Sequence, residues 1–67
     1  MSERKLRIRK LIEHLVEHNE EHVARFREAA SEAEEMGLSE TARSLLAAAE
    51  RGGEVSAALR MALASVG

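Results

Sequence analysis

A chain of 67 residues without cysteine or proline, and with a single phenylalanine as its aromatic residue, has few folds open to it. The lack of cysteine excludes disulfides and thiolate metal sites, and a composition rich in alanine, glutamate, leucine and arginine favours helices over strands. The formal net charge is −2, and no apolar run approaches the roughly 20 residues of a membrane span. We therefore expect one all-helical domain over residues 1–67, cytoplasmic and without a membrane partner.

The first predicted element is a long amphipathic helix from about residue 3 to residue 36. Ser2 is a suitable N-cap, and Gly37 suits the left-handed position that follows many helices. The positions along the predicted contact stripe of this helix step by four and three, as in the seam of a coiled coil, and most of them are apolar. They are Ile8, Ile12, Leu15, Asn19, His22, Phe26, Ala29 and Ala33. Asn19 and His22 thus fall inside an apolar stripe, where polar groups need partners.

The second predicted helix runs from about residue 39 to residue 65, with Ser39 as its N-cap. Gly52 and Gly53 support an alternative, a three-helix chain broken at this pair, because each glycine costs about 1 kcal/mol inside a helix. The small and apolar positions nevertheless keep a 4–3 spacing through the glycines, which favours one continuous helix. They are Leu45, Ala49, Gly52, Ser56, Leu59, Leu63 and Val66.

Two helices joined by a short turn predict an antiparallel hairpin, in which the numbers of facing residues sum to about 75. Ser56 then faces Asn19, and the pair Gly52–Gly53 faces Val23 and His22. We expect the glycines to leave room for the imidazole of His22 or for something that it holds. The alternative is that small residues only let the two helices approach closely.

The apolar face of each helix is wider than one partner helix can cover. A monomer would expose many large apolar side chains, which soluble monomers rarely do. These side chains are Leu11, Leu15, Val16, Phe26, Leu46 and Leu59. The simplest arrangement that covers them is a homodimer of two hairpins forming a four-helix bundle, in which each histidine occurs twice near the middle.

All three histidines, His14, His18 and His22, are spaced four residues apart with glutamates between them. Histidines at i and i+4 share a helix face and can reach one metal ion, and imidazole suits zinc, nickel and cobalt. We therefore expect a divalent transition metal (Zn, Ni or Co) bound by His18 and His22, with His14 as an auxiliary ligand. The alternative function is a helical oligomerisation or protein-interaction module, in which Asn19 and His22 form a structural polar layer without metal.

Other classes of function find less support. The chain has no His-Glu-x-x-His or Glu-x-x-His motif and no evident nucleophile with a His and carboxylate partner, so we do not expect an enzyme. Residues 1–10 carry five basic residues and one glutamate, and residues 11–40 carry nine glutamates and two arginines. The basic residues surround the helix without an aromatic neighbour, so we expect no nucleic-acid partner and instead a contact with the acidic middle of another helix.

Residues 12–38 resemble small helical-hairpin domains of archaea and bacteria with a similar histidine-rich first helix. The resemblance rests on His18, Asn19, His22 and Phe26. Those domains are associated with nickel and cobalt handling, so the resemblance implies a role in metal binding or sensing.

Overall fold

A computed structural model describes residues 2–67 of the chain. It contains helix α1 (Glu3–Glu35) and helix α2 (Ser39–Ser65). The two helices pack side by side as an antiparallel hairpin with extents of 53 × 14 × 10 Å. The all-helical hairpin is thus confirmed, with helix bounds within one residue of those predicted.

The ends of α1 follow from local sequence. The hydroxyl of Ser2 accepts a hydrogen bond of 3.1 Å from a backbone N–H of the first turn, as an N-cap does. At the other end Gly37 has a φ of 77°. The N–H of Leu38 donates to the carbonyl of Ala33 at 2.9 Å, and the N–H of Gly37 donates to the carbonyl of Glu34 at 3.0 Å. These two bonds are the Schellman motif, whose left-handed residue is usually glycine.

The predicted N-cap of α2 is wrong by one residue. Leu38 occupies the cap position and makes no side-chain cap hydrogen bond, while Ser39 is the first helical residue. The connection is so short that Leu38 both completes the Schellman motif and precedes α2. Its carbonyl accepts the first bond of the new helix, from the N–H of Ala42 at 2.9 Å.

α2 continues without a break through Gly52 and Gly53, so the three-helix alternative is wrong. Packing against α1 outweighs the low helix propensity of glycine, as tertiary contacts commonly do. The residues that α2 buries are all small, whereas α1 contributes branched side chains as well as alanines. The buried set is Ile12, Val16, Val23, Ala30, Ala33, Ala42, Ala49, Gly52 and Ser56.

The two glycines differ in their surroundings. A Cβ atom added at Gly52 would overlap Cγ2 of Val23, whereas a Cβ at Gly53 would meet nothing within 4 Å. Our expectation that the pair leaves room for His22 is therefore wrong. Gly52 allows close approach to a valine of the core, and Gly53 is exposed.

Alanine substitutions at these adjacent positions should have opposite effects. Gly53→Ala should stabilise the fold by about 0.5–1 kcal/mol, because alanine has the higher helix propensity and space is available. Gly52→Ala should destabilise it by about 1–2 kcal/mol, since overpacking against the stiff side chain of Val23 exceeds that gain. Urea denaturation of both variants at equal chain concentration measures whether each substitution raises or lowers the free energy of unfolding. Stabilisation by both substitutions would mean that Gly52 is not held against Val23.

Candidate metal site on the exposed face of α1

The hairpin has two long faces of different character. On one face, Leu15, His18 and His22 of α1 and Val55 and Leu59 of α2 line a shallow groove of about 260 Å³, with Asn19 at its base. We call these five residues the histidine face. It is apolar apart from the two imidazoles.

The opposite face is charged. There Glu20 forms an ion pair with Arg60 across the two helices, and Arg27, Arg43 and Glu50 surround Leu46. Both members of the ion pair are about half-exposed, so the pair adds little stability. On α1, Glu20 is about 200° around the helix from His18, which places it on the other side of the hairpin.

The histidine face brings two imidazoles together. Nε2 of His18 and Nε2 of His22 are 3.1 Å apart, and the two ring centroids are separated by 4.6 Å. With metal–nitrogen bonds of about 2.0–2.1 Å, this separation corresponds to a nitrogen–metal–nitrogen angle of about 100°. That angle lies between the octahedral and tetrahedral values. Both side chains are exposed, so an ion can reach them from solvent.

His14 is less well placed than the other two histidines. Its ring centroid lies 6.0 Å from that of His18. Over the part of the chain that the structure describes, no group of three or more His, Asp or Glu side chains could hold a metal ion together. One chain therefore offers a pair of nitrogen ligands, and the auxiliary role of His14 stays a prediction.

Asn19 forms the polar layer of the hairpin. Its Nδ2 donates to the carbonyl of Gly52 at 2.8 Å and to Oγ of Ser56 at 2.7 Å. The predicted juxtaposition of Asn19 and Ser56 is confirmed. In the single hairpin His22 is exposed, and its ring centroid lies 6.4 Å from that of Phe26 on the same side of α1.

The sequence reasoning missed Val55 as part of the histidine face. The available signal was its position four residues before Leu59, which places both side chains on one side of α2. It also missed the ion pair of Glu20 with Arg60. These two residues do not face each other directly, since their numbers sum to 80, and their long side chains bridge the offset along the helices.

Within residues 2–67, neither helix combines the length and the hydropathy needed to span a bilayer. No curated protein and no solved structure matches the chain. A family model described as a domain of unknown function (DUF8180) matches residues 8–66, which is most of the chain. The protein therefore belongs to the DUF8180 family.

Proposed function

We propose that this protein is a small homo-oligomeric helical bundle that binds a divalent transition metal (Zn, Ni or Co). His18 and His22 are the principal ligands, and His14 is auxiliary. The observation that carries the proposal is the 3.1 Å separation of the two Nε2 atoms on an exposed face.

The chemistry of the pair favours particular metals. Two imidazole nitrogens are borderline donors that suit zinc, nickel and cobalt, whereas magnesium and calcium require several oxygen ligands. No carboxylate lies among the residues that line the groove. A pair made only of nitrogen donors thus supports a transition metal over an alkaline-earth ion.

The apolar residues beside the histidines support an oligomer. Six large apolar side chains were expected to need cover from a second hairpin. Of these, the single hairpin itself buries Val16 and half-buries Phe26 and Leu59. Leu11 and Leu15 remain 50% and 40% exposed on the histidine side of α1. Their burial by a second hairpin would also remove the groove from solvent. Leu46 is 51% exposed on the charged face, so a dimer through the histidine side would not cover it.

A second candidate function is an oligomerisation or interaction module without metal. In this module Asn19 and His22 would form a structural polar layer. It is supported by Asn19, whose two amide hydrogens are both satisfied inside the hairpin. A polar layer of this kind can fix the register of packed helices and needs no ion. Metal-binding measurements distinguish the two candidates.

The test of metal binding uses protein without a histidine tag. Zn²⁺, Ni²⁺ or Co²⁺ at about 100 times Kd should stabilise the fold by about 2.7 kcal/mol, because the ion binds only the folded chain. This corresponds to a rise in Tm of about 10–20 °C for a domain of this size. His18→Ala and His22→Ala should each lose most of the rise, and Mg²⁺ should produce none.

His14→Ala is the matched control, since it removes an imidazole from the same helix and should retain most of the response. Affinity should fall as the pH is lowered, because protons compete with the metal for the imidazole nitrogens. If a variant with all three histidines replaced by alanine responds like the parent, the histidines are not ligands.

A further inference from the structure

We propose that the metal site is shared between two copies of this chain. Two α1 helices pack antiparallel about a two-fold axis near their midpoints, and His18 and His22 of both copies supply four imidazole nitrogens to one ion. The inference rests on the proposed function for its ligands. It adds the partner, which is a second copy of the chain, and the relative orientation of the two copies.

The site of a single chain is incomplete. Protein zinc sites use three or four protein ligands, whereas one hairpin offers two nitrogens and no third ligand within residues 2–67. The other residues around the pair are mainly Leu15, Val55 and Leu59, which cannot coordinate a metal. Further protein ligands must therefore come from a molecule that covers the groove, and an identical histidine face supplies them.

The histidine pair lies at the centre of α1. The helix spans Glu3–Glu35, so its middle residue is Asn19, between His18 and His22. When two such helices overlap fully in antiparallel orientation, facing residue numbers sum to about 38. His18 of one copy then lies within about 3 Å, along the helix axis, of His22 of the other. Full overlap of the helices and clustering of the imidazoles thus require the same register.

Charge selects this antiparallel orientation. Residues 3–10 carry five basic residues and one glutamate, a net charge of +4, and residues 28–35 carry four glutamates and no basic residue, a net charge of −4. Antiparallel overlap places each basic segment opposite an acidic one. Parallel overlap places like charges together, which is unfavourable and suppresses that orientation.

These charges are not neutralised inside the hairpin. In the register of the hairpin, residues 61–67 face residues 8–14 and contain no charged side chain. Residues 40–47 face residues 28–35 and carry one glutamate and one arginine, a net charge of zero. Within the part of the chain described, the single ion pair is that of Arg60 with Glu20. Apart from the half-buried Arg9, the charged residues at both ends of α1 are exposed and therefore available to a second copy.

Side-chain size also fits this register. Leu11, Leu15, His18 and His22 lie within about 60° of one another around α1, and Ala29 falls on the same stripe. In the antiparallel pair, Leu11 of one copy lies within one turn of Ala29 of the other, so an exposed leucine meets an exposed alanine. This contact of a large residue with a small one occurs twice, once on each side of the axis.

Cysteine cross-linking tests the orientation, since the chain has no cysteine of its own. Arg7→Cys and Glu32→Cys place thiols beside the same edge of the stripe, within about 20° of each other around α1, and their numbers sum to 39. A mixture of the two variants, oxidised mildly with Zn²⁺ present, should give the mixed 7–32 disulfide in at least about tenfold excess over either self-disulfide, because the bond needs Cβ atoms within about 4.5 Å. In the antiparallel dimer, the two copies of position 7 are about 36 Å apart.

Metal stoichiometry tests the shared site. Titration of the parent chain should saturate at one ion per two chains, and sedimentation should show that Zn²⁺ strengthens the dimer. Saturation at one ion per monomeric chain would overturn this inference and leave the proposed metal function intact. Self-disulfides in excess would overturn the antiparallel orientation. If the two cysteine variants form the 7–32 disulfide but the parent chain binds no metal, both the shared site and the proposed function are overturned.

Discussion

An Asn19→Asp variant should melt at least about 10 °C below the parent at neutral pH, corresponding to a loss of about 2–3 kcal/mol. Asn19 donates both amide hydrogens across the hairpin, to the carbonyl of Gly52 and to Oγ of Ser56. A carboxylate has the same shape and no hydrogen to donate, so it would face the Gly52 carbonyl as a second acceptor. Thermal melts followed by far-UV circular dichroism measure the effect.

Two comparisons isolate the cause of that loss. Lowering the pH should restore part of the stability of Asn19→Asp, because the protonated acid can donate one hydrogen bond. Asn19→Leu should cost less than Asn19→Asp, about 1 kcal/mol, because it removes one hydrogen-bond partner of the buried Ser56 hydroxyl without placing a charge beside the Gly52 carbonyl. If Asn19→Asp melts like the parent at neutral pH, Asn19 does not bridge the helices.

The ends of α1 and the register of the hairpin could be predicted because short-range rules determine them. Ser2 and Gly37 occupy positions whose side-chain and backbone requirements few other residues meet. Once the turn is fixed there, helical geometry makes facing residue numbers sum to about 75. This sum correctly paired Asn19 with Ser56 and Gly52 with Val23.

The side of α1 that meets α2 could not be predicted from the same rules. The apolar stripe of α1 covers about 140° of the helix, and one neighbouring helix covers only part of it. The small residues of α2 accept the branched side chains of Ile12, Val16 and Val23. Contact is therefore centred about 60° from Leu15, and the histidines lie on the half of α1 that a single hairpin leaves exposed.

The role of the glycines was missed for the same reason. Register showed that Gly52 and Gly53 lie beside Val23 and His22, but only the rotation of the helices shows which side chain enters the space. Because α1 turns Val23 towards α2, the valine fills it. His22 is thereby left on the outer side, where it contacts His18.

The second large effect that we expect is that of a charge placed on the exposed half of the apolar stripe of α1. Leu15→Glu should convert the protein into a largely unfolded monomer. In an isolated hairpin Leu15 is 40% exposed, so a glutamate there could reach water at a cost of about 1 kcal/mol. Between two hairpins the same carboxylate would be buried without a cation, which costs several kcal/mol.

Dissociation should bring unfolding because a lone hairpin has a thin core. Its buried residues are mostly alanine, glycine, serine and valine, and no large side chain in residues 2–67 is fully buried. Single cores of this size rarely supply more than about 3–5 kcal/mol. Loss of the second hairpin thus removes much of the apolar burial that offsets the entropy of ordering the chain.

Leu46→Glu is the matched control for Leu15→Glu. Leu46 is 51% exposed, but it lies on the charged face beside Arg27 and Arg43. Because the proposed dimer does not cover that face, we expect Leu46→Glu to be as dimeric and as helical as the parent. Sedimentation equilibrium and far-UV circular dichroism on both variants provide the comparison. A parent chain that sediments as a fully helical monomer, with Leu15→Glu equally helical, would show that the hairpin needs no second copy.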